Sequence, residues 1–353
     1  GMRALLDILN KVEADKAKIV GSLAKEVAVE KFMSAFRDGA SLRERPERQV
    51  SFRDWLLKHT DNEKVLAVFQ AIIAANHGIN SWELPAVEFF AFVSRQGGYR
   101  RYGHATRGNI VLAEALAQTI RARRGEAWTG AEARRIVVRD GAVAGVVVEK
   151  EGKALEIEAP VVVSNAGPRE TVALAGSSNF DAAYLEEMNR RLRPAPIVTI
   201  LVASDQPLVE VPGMMFPIGA KRVCSCFPVT TSCPELAPPG KHLTVIFGQP
   251  LSSLHPLNGR QEIEANIRDL MDIFPSFARQ ATILRTDARN IDDEWPCYRT
   301  WPGYDLAPGT AVKGLYNVGD GVKPFGKVGL PSCAESGRVV AEEIKRLFRP
   351  AGG

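Results

Sequence analysis

The chain has 353 residues, 45% of them hydrophobic and 24% charged, and carries a formal net charge of +4. This composition is typical of globular proteins, and at roughly 150 residues per domain the length allows about two domains. The small positive excess argues against a nucleic-acid-binding surface, and no apolar run reaches the ~18 residues that a membrane-spanning helix needs.

Residues 2–96 are predicted to be helical. Ser51 is placed to cap a helix, because its hydroxyl can accept a hydrogen bond from the N–H of the third helical residue. A second helix is predicted from residue 61 to residue 75, ending before Gly78. Pro85 is predicted at the first position of a third helix, where its missing N–H has no consequence.

A glycine-bearing loop leads to a helix predicted over residues 109–124. Alternating apolar and polar residues then surround Asp140-Gly141 and Glu151-Gly152, which is the pattern of a β-meander. The apolar run Val161–Val163 predicts a strand of a parallel sheet that is covered on both faces. The remaining predicted strands are residues 134–139, 143–150, 154–159, 197–203, 214–218, 222–229, 242–247, 281–287 and 314–318, and the remaining predicted helices are residues 261–273 and 332–348.

The strongest functional signal follows the last predicted strand, where Gly319-Asp320-Gly321 leads through a glycine-rich loop into the helix from Ser332. Glycines let the backbone approach a ligand closely, and an Asp at a strand end can accept hydrogen bonds from ribose or ribityl hydroxyls. The N-terminus of the following helix favours an anionic group. The pattern therefore predicts a dinucleotide site.

This segment, residues 314–344, resembles the C-terminal FAD motif of the phytoene-dehydrogenase-like and flavin-containing amine oxidase family, and residues 130–136 and 161–168 resemble two further segments of that family. The resemblance implies an FAD-dependent oxidoreductase of α/β fold, with a discontinuous Rossmann-like FAD-binding domain and a substrate domain of helices and mixed β-sheet. The positions that it implies contact FAD are Ala133, Asn165, Ala166, Gly167, Gly319, Asp320, Gly321, Gly329, Leu330 and Ser332.

A proline-rich aromatic segment precedes this motif, and in the resembled fold that region can reach the substrate side of the flavin. The substrate-site candidates are His104, Trp295, Tyr298, Trp301 and Tyr304. Packing within the loop is the alternative interpretation of the aromatic residues. The five histidines are dispersed and the five cysteines lack a Cys-x-x-Cys spacing, so we expect no metal site and buried free thiols. The pattern identifies no catalytic residue.

The resemblance also divides the chain into four segments. Residues 2–105 form the helical part of the substrate domain, and residues 179–308 form its sheet and helix. Residues 106–178 and 309–349 form the two parts of the FAD-type domain.

The G-x-G-x-x-G unit that opens this family, and that binds the FAD pyrophosphate, is missing from the sequence. We therefore expect a truncated FAD-type domain that, as this chain alone, binds FAD weakly or not at all. We also expect a homo-oligomer, or a partner chain, to cover the exposed edge. Three explanations remain open: a start upstream of Met2, a split locus with the front piece on another chain, or loss of flavin binding.

The predicted function is flavin-mediated dehydrogenation of a small apolar substrate; carotenoid-like, retinoid-like and amine substrates all fit the family. The alternative is a non-enzymatic protein that binds an apolar ligand, either a relict or a subunit that needs a partner. A nicotinamide-dependent enzyme is a third, weaker alternative. We expect a cytoplasmic protein that can associate peripherally with membranes.

Overall fold

The computed structural model describes residues 13–33, 49–96, 105–291, 293 and 299–348. In chain order the helices are α1 (Glu13–Met33), α2 (Phe52–Leu57), α3 (Glu63–His77), α4 (Ala86–Ala91), α5 (Ile110–Ala122), α6 (Pro168–Ala175), α7 (Ala182–Arg191), α8 (Val229–Ser232), α9 (Gly259–Ile273), α10 (Phe277–Gln280) and α11 (Gly329–Leu347). The strands are β1 (Ala131–Arg139), β2 (Ala142–Lys150), β3 (Lys153–Glu158), β4 (Val162–Ser164), β5 (Ile197–Ser204), β6 (Val223–Pro228), β7 (His242–Gly248), β8 (Ala281–Arg289) and β9 (Leu315–Asn317).

The chain is a mixed α/β protein that divides into two compact units. Unit 1 holds the described residues of Gly1–Val111, Pro194–Gly303 and Phe325–Lys327, and unit 2 holds those of Leu112–Arg193, Tyr304–Pro324 and Val328–Gly353. Each unit is therefore built from separate segments of the chain. The four predicted segments, with their substrate and FAD roles, stay a prediction.

Unit 1 contains a four-stranded antiparallel sheet in the order β6-β7-β5-β8. Alternate residues of β5, namely Val198, Ile200 and Val202, are buried in one apolar cluster with Ile246 of β7 and Leu270 of α9. Fully burying a side chain of this kind contributes about 1.5–3 kcal/mol, so this cluster is a main source of the stability of unit 1.

Helices α2, α3 and α4 of unit 1 pack around an aromatic cluster centred on Phe52, whose ring lies 4.3 Å from that of Phe89 and 5.2 Å from that of Phe69. The predicted cap at Ser51 is confirmed, since its hydroxyl accepts a hydrogen bond from the N–H of the third residue of α2. The predicted place of Pro85 is wrong by one residue, because α4 begins at Ala86 and Pro85 is its N-cap. An antiparallel bridge to Ser51 holds Pro85 in an extended conformation.

The predicted strand at 214–218 is also wrong, because Met215 forms only an isolated bridge with Cys226. Pro217 has no N–H to donate to a sheet, and Gly213 and Gly219, which flank the segment, have φ values of 117° and 93°. These residues break the extended conformation that the apolar pattern suggests.

Unit 2 contains the predicted meander, which is confirmed as a three-stranded antiparallel sheet in the order β1-β2-β3. Both connections contain two residues with positive φ: 50° and 73° at Asp140-Gly141, 53° and 72° at Glu151-Gly152. Such turns match the twist of the strands that they join. The prediction succeeds because the signal is local.

A second sheet of unit 2 pairs β4 with β9 in parallel, which confirms the predicted parallel strand. The predicted cover on both faces is not seen among the described residues, since they leave Val163 45% exposed. Within the described residues β4 pairs with no other strand. The N–H of Val162 donates to the carbonyl of Gly314, and the carbonyl of Ser164 accepts the N–H of Val318. The backbone groups of Val163, between them, therefore point away from β9. The outer edge of β4 therefore has no strand partner in the described part of the chain.

The predicted helix at 109–124 is confirmed as α5, yet none of its side chains is buried by the described residues. The apolar residues Ile110, Leu112, Leu116 and Ile120 are all exposed. The C-terminal helix, predicted from Ser332, begins three residues earlier, at Gly329. Among the described helices, none has the length and apolarity required to cross a membrane.

Candidate functional site

The chain turns sharply after β9, through Gly319, Asp320 and Gly321. The two glycines have φ values of 89° and 96°, a region of backbone conformation that residues other than glycine rarely adopt. A Cβ atom on Gly319 would lie 2.1 Å from Oδ1 of Asn165, and one on Gly321 would lie 2.9 Å from Cδ of Pro168. The turn therefore packs directly on the connection between β4 and α6, and brings two of the predicted cofactor segments together.

A buried ion cluster holds this turn. The ammonium of Lys323 lies 2.5 Å from Oδ1 of Asp320 and 3.0 Å from Oδ1 of Asp305. The same Asp305 oxygen accepts the backbone N–H of Lys323 at 2.8 Å. A second brace is the hydrogen bond from the N–H of Leu306 to the carbonyl of Gly321, 2.8 Å. The segment before β9 thus fixes the turn that follows β9.

The cluster is charged despite its burial. Burial alone would lower the pKa of Lys323, but the carboxylates of Asp305 and Asp320 outweigh it and hold the pKa above its ordinary value. Burial raises the pKa of Asp320, and Asp305 adds to the increase while Lys323 opposes both. Burial also raises the pKa of the nearby Cys333 thiol. The cluster thus brings two carboxyl groups and one ammonium together.

Below the turn, buried polar side chains link the two parallel strands. Oγ1 of Thr171 in α6 lies 2.8 Å from Oγ of Ser164 in β4 and 2.7 Å from Oδ1 of Asn317 in β9. The N–H of Gly319 donates to Oγ of Ser336 in α11 at 2.8 Å. These contacts fix both strand ends and the last helix relative to the turn.

Two helices of unit 2 begin beside these strands without a side-chain cap. Gly167 is the N-cap of α6 and Val328 that of α11, and neither of these N-cap residues provides a side-chain hydrogen bond to its helix. The first backbone N–H groups of a helix have no partner within it, so an uncapped start can bind an anionic or polarised group. In α11, Leu330 is exposed, whereas Ser332 is buried and donates its hydroxyl to the carbonyl of Gly329.

A sequence profile of flavin-containing amine oxidoreductases matches residues 2–345. The chain belongs to the flavin-containing amine oxidoreductase family. The predicted family is confirmed, and membership implies FAD as the cofactor. No curated protein matches the chain.

Solved structures agree with this family. An oxidoreductase from Methanosarcina mazei is 27% identical with a TM-score of 0.75, over 94% of this chain and 73% of that one. A protoporphyrinogen oxidase-like protein from an Exiguobacterium species is 16% identical with a TM-score of 0.56, over 85% and 68%. Cyclohexylamine oxidase from Brevibacterium oxydans is 13% identical with a TM-score of 0.53, over 93% and 76%. The last two similarities concern the fold alone.

The C-terminal motif of this amine oxidoreductase offers the groups that a dinucleotide needs. Asp320 is a partly accessible carboxylate for hydroxyl groups, and the uncapped starts of α6 and α11 offer N–H donors. Ala133 lies on β1, an edge strand of the meander among the described residues, and its side chain is exposed. The residues present therefore fit FAD.

The aromatic candidates are only partly described. Trp301, in unit 1, is buried and donates its indole N–H to the carbonyl of Pro194 at 2.7 Å. Tyr304, in unit 2, is buried beneath the guanidinium of Arg193, 4.2 Å from its ring centre. These contacts are those of packed residues, and a substrate role for either stays a prediction. His104, Trp295 and Tyr298 lie outside the described residues.

Sequence reasoning did not identify Lys323 and Asp305, the two most buried members of the ion cluster. The available signal was weak: each lies in a stretch rich in glycine, proline and apolar side chains, and no spacing in the sequence pairs the two. Among the described residues there is no cluster of potential metal ligands. The expected free thiols are present at Cys224 and Cys226, where burial raises the pKa to about 12.

Proposed function

We propose that this flavin-dependent oxidoreductase dehydrogenates a small apolar substrate by hydride abstraction from a C–C or C–N bond. The observation that carries the proposal is the glycine turn of the C-terminal motif, with the carboxylate of Asp320 held at its surface beside uncapped helix starts. When bound, FAD supplies the redox chemistry by accepting the hydride. No observation favours the non-enzymatic alternative.

We also propose that unit 2 is the FAD-type domain, discontinuous in sequence and truncated. Support comes from the parallel pair β4–β9, because parallel sheets in proteins are normally larger and covered on both faces. Here the outer edge of β4 is open in the described part of the chain. A strand next to β4 would complete the sheet and could supply further donors to the pyrophosphate.

In this proposal each group of the chain has its own role. Asp320 accepts hydrogen bonds from hydroxyl groups of the ribityl or ribose, since an ionised carboxylate is an acceptor only. The N–H groups of Gly329 and Leu330 face a polarised or anionic centre, whereas Pro331, the next residue, has no N–H to donate. The backbone of Ala133 pairs with the adenine.

The test is a titration of the purified chain with FAD, followed by visible absorption and by quenching of flavin fluorescence. We expect weak but saturable binding. Asp320→Asn should weaken it about 10- to 150-fold, because a hydrogen bond to a charged group contributes about 1.5–3 kcal/mol. Lys323 keeps its partner Asp305 in this variant, so the fold should persist.

The matched control is Asp272→Asn, which makes the same chemical change on the exposed surface of α9 and should leave the affinity unchanged. A chain that leaves the spectrum and fluorescence of FAD unaltered would contradict the proposed function. A chain purified with stoichiometric flavin would instead support the function and overturn the prediction of weak binding.

A further inference from the structure

In the ion cluster of the C-terminal turn, the exposure of the side chains increases from Asp305 to Lys323 to Asp320. The side chain of Asp305 is 0% exposed and that of Lys323 is 1% exposed, whereas that of Asp320 is 15% exposed. Only Asp320 therefore presents accessible surface. Asp305 and Lys323 lie behind it, where neither can contact a ligand directly.

The contacts follow the same order. Asp305 holds Lys323 twice, at its backbone N–H and at its ammonium, so the position of the lysine does not depend on Asp320. The ammonium then reaches the Asp320 carboxylate at 2.5 Å. The backbone N–H of Gly321 also donates to this carboxylate, so the ammonium and the backbone of the turn together fix where the carboxylate points.

A purely structural role would not require this charge. A buried ion pair can often be replaced by apolar side chains of similar volume without loss of stability. What an apolar side chain does not provide is compensation for the negative charge of Asp320. Apart from Lys323, the titratable groups that interact with Asp320 in the described part of the chain are Asp305 and Cys333, and neither supplies a positive charge.

We propose that Lys323, anchored by Asp305, is a positioning residue that keeps the Asp320 carboxylate ionised and directed outward as an acceptor for ligand hydroxyl groups. This rests on the proposed function, in which the hydroxyl groups belong to FAD. As a hydrogen-bond acceptor, the Asp320 carboxylate favours hydroxyl donors over phosphate, which leaves the phosphates to the helix N-termini.

Two substitutions test the proposal because they act on Asp320 with opposite sign. Lys323→Met removes the opposite charge and keeps most of the volume, so the pH midpoint for ionisation of Asp320 should rise by about 1–3 units. Asp305→Asn removes a like charge and keeps the shape, so the midpoint should fall. Lys313→Met, the same chemical change at an exposed lysine of unit 2, should leave it unchanged.

The measurement is the 13C chemical shift of the Asp320 carboxyl in the ligand-free protein, assigned by its loss in Asp320→Asn. Midpoints that move in the same direction in both variants, or that do not move, would overturn the proposal. If Lys323→Met does not fold, Asp305→Asn alone still tests the proposal. An Asp320 midpoint that rises or stays unchanged in Asp305→Asn contradicts the proposed charge coupling.

A second readout uses FAD. At pH values below the Asp320 midpoint, the affinity of Lys323→Met for FAD should rise about tenfold for each unit by which the pH is raised, because Asp320 becomes ionised. A role of Lys323 in folding alone predicts a loss of FAD affinity that does not follow this titration. Failure of the wild-type chain to bind FAD would overturn the proposed function. The carboxyl titrations would still decide the role of Lys323, because they need no ligand.

Discussion

Among the described residues, two side chains that are basic in water are at most 1% exposed: Lys323 in unit 2 and His77 in unit 1. Lys323 is in contact with two carboxylates, and its pKa is raised. His77 packs against the rings of Phe89 and Phe92, and neither ring nitrogen makes a hydrogen bond of normal geometry. Burial lowers its pKa to about 3, and only the backbone of Ile73 opposes this.

The difference shows that burial alone does not decide the charge of a side chain; its neighbours do. Among the phenylalanines of unit 1 the neutral form of the His77 ring has the lower free energy, so His77 serves as a packing residue. In the turn of unit 2 the neighbours are acidic, so a charge is retained where the proposed cofactor binds. A charge kept in a buried place is therefore the more informative sign of function.

The largest expected effect on stability is that of Lys323→Met. Removing one partner of a buried ion cluster leaves the other charges uncompensated, so the free energy of unfolding should fall by about 3–5 kcal/mol. Urea denaturation followed by circular dichroism measures this. Lys313→Met, at an exposed lysine of the same unit, should lose less than about 1 kcal/mol. Equal losses in both variants would mean that the buried cluster does not stabilise the protein more than a surface lysine does.

The second effect concerns His77 and pH. Its pKa is about 3 when folded and 6.5 in the unfolded chain, so the unfolded state binds more protons below pH 6.5. Stability should therefore fall as the pH falls from about 6.5 towards 3, and the part due to His77 should be about 2 kcal/mol at pH 5. His77→Leu should lose this part of the pH dependence in denaturation measured at pH 7 and pH 5.

The exposed His255 supplies the control for that experiment, since His255→Gln should keep the wild-type pH dependence. An unchanged pH dependence in His77→Leu would mean that the buried ring is not the neutral group described above.

A smaller effect distinguishes the turn from the helix that follows it. Gly319→Ala places a Cβ against Asn165 at a positive φ, and should destabilise the protein by about 1–3 kcal/mol. Gly337→Ala, inside α11 with no atom within 4 Å of the new Cβ, should stabilise it by about 0.5–1 kcal/mol. Thermal denaturation of the pair compares them, and shifts of the same sign would contradict the packing of the turn.

The smallest expected effect is on association. The predicted homo-oligomer or partner chain stays a prediction, and the open edge of β4 is the place to test it. Val163 is 45% exposed there, and a lysine on a free strand edge disfavours pairing with another chain. Val163→Lys should lower the fraction of dimer in sedimentation velocity. An unchanged fraction would show that the contact between chains does not lie at the edge of β4.

Much of the fold is predictable because its signals are local. The Asp-Gly and Glu-Gly turns specify the meander, and Ser51 specifies the start of α2. The apolar run at 214–218 misleads, because its pattern suggests a strand while its proline and flanking glycines prevent one. The start of α11 is missed by three residues, since glycine and proline at its beginning are ordinary loop residues and only the hydrogen bonds show the helix.

The sequence by itself determined the family, and it predicts the place of the cofactor motif, because glycines, Asp320 and the strand–turn–helix order are contiguous along the chain. Only the tertiary structure decided what surrounds Asp320. Asp305 and Lys323 are 18 residues apart, and no periodicity connects them; they meet because the segment before β9 folds back against the turn after it. Their contact depends on the path of the backbone, which the residue pattern does not encode.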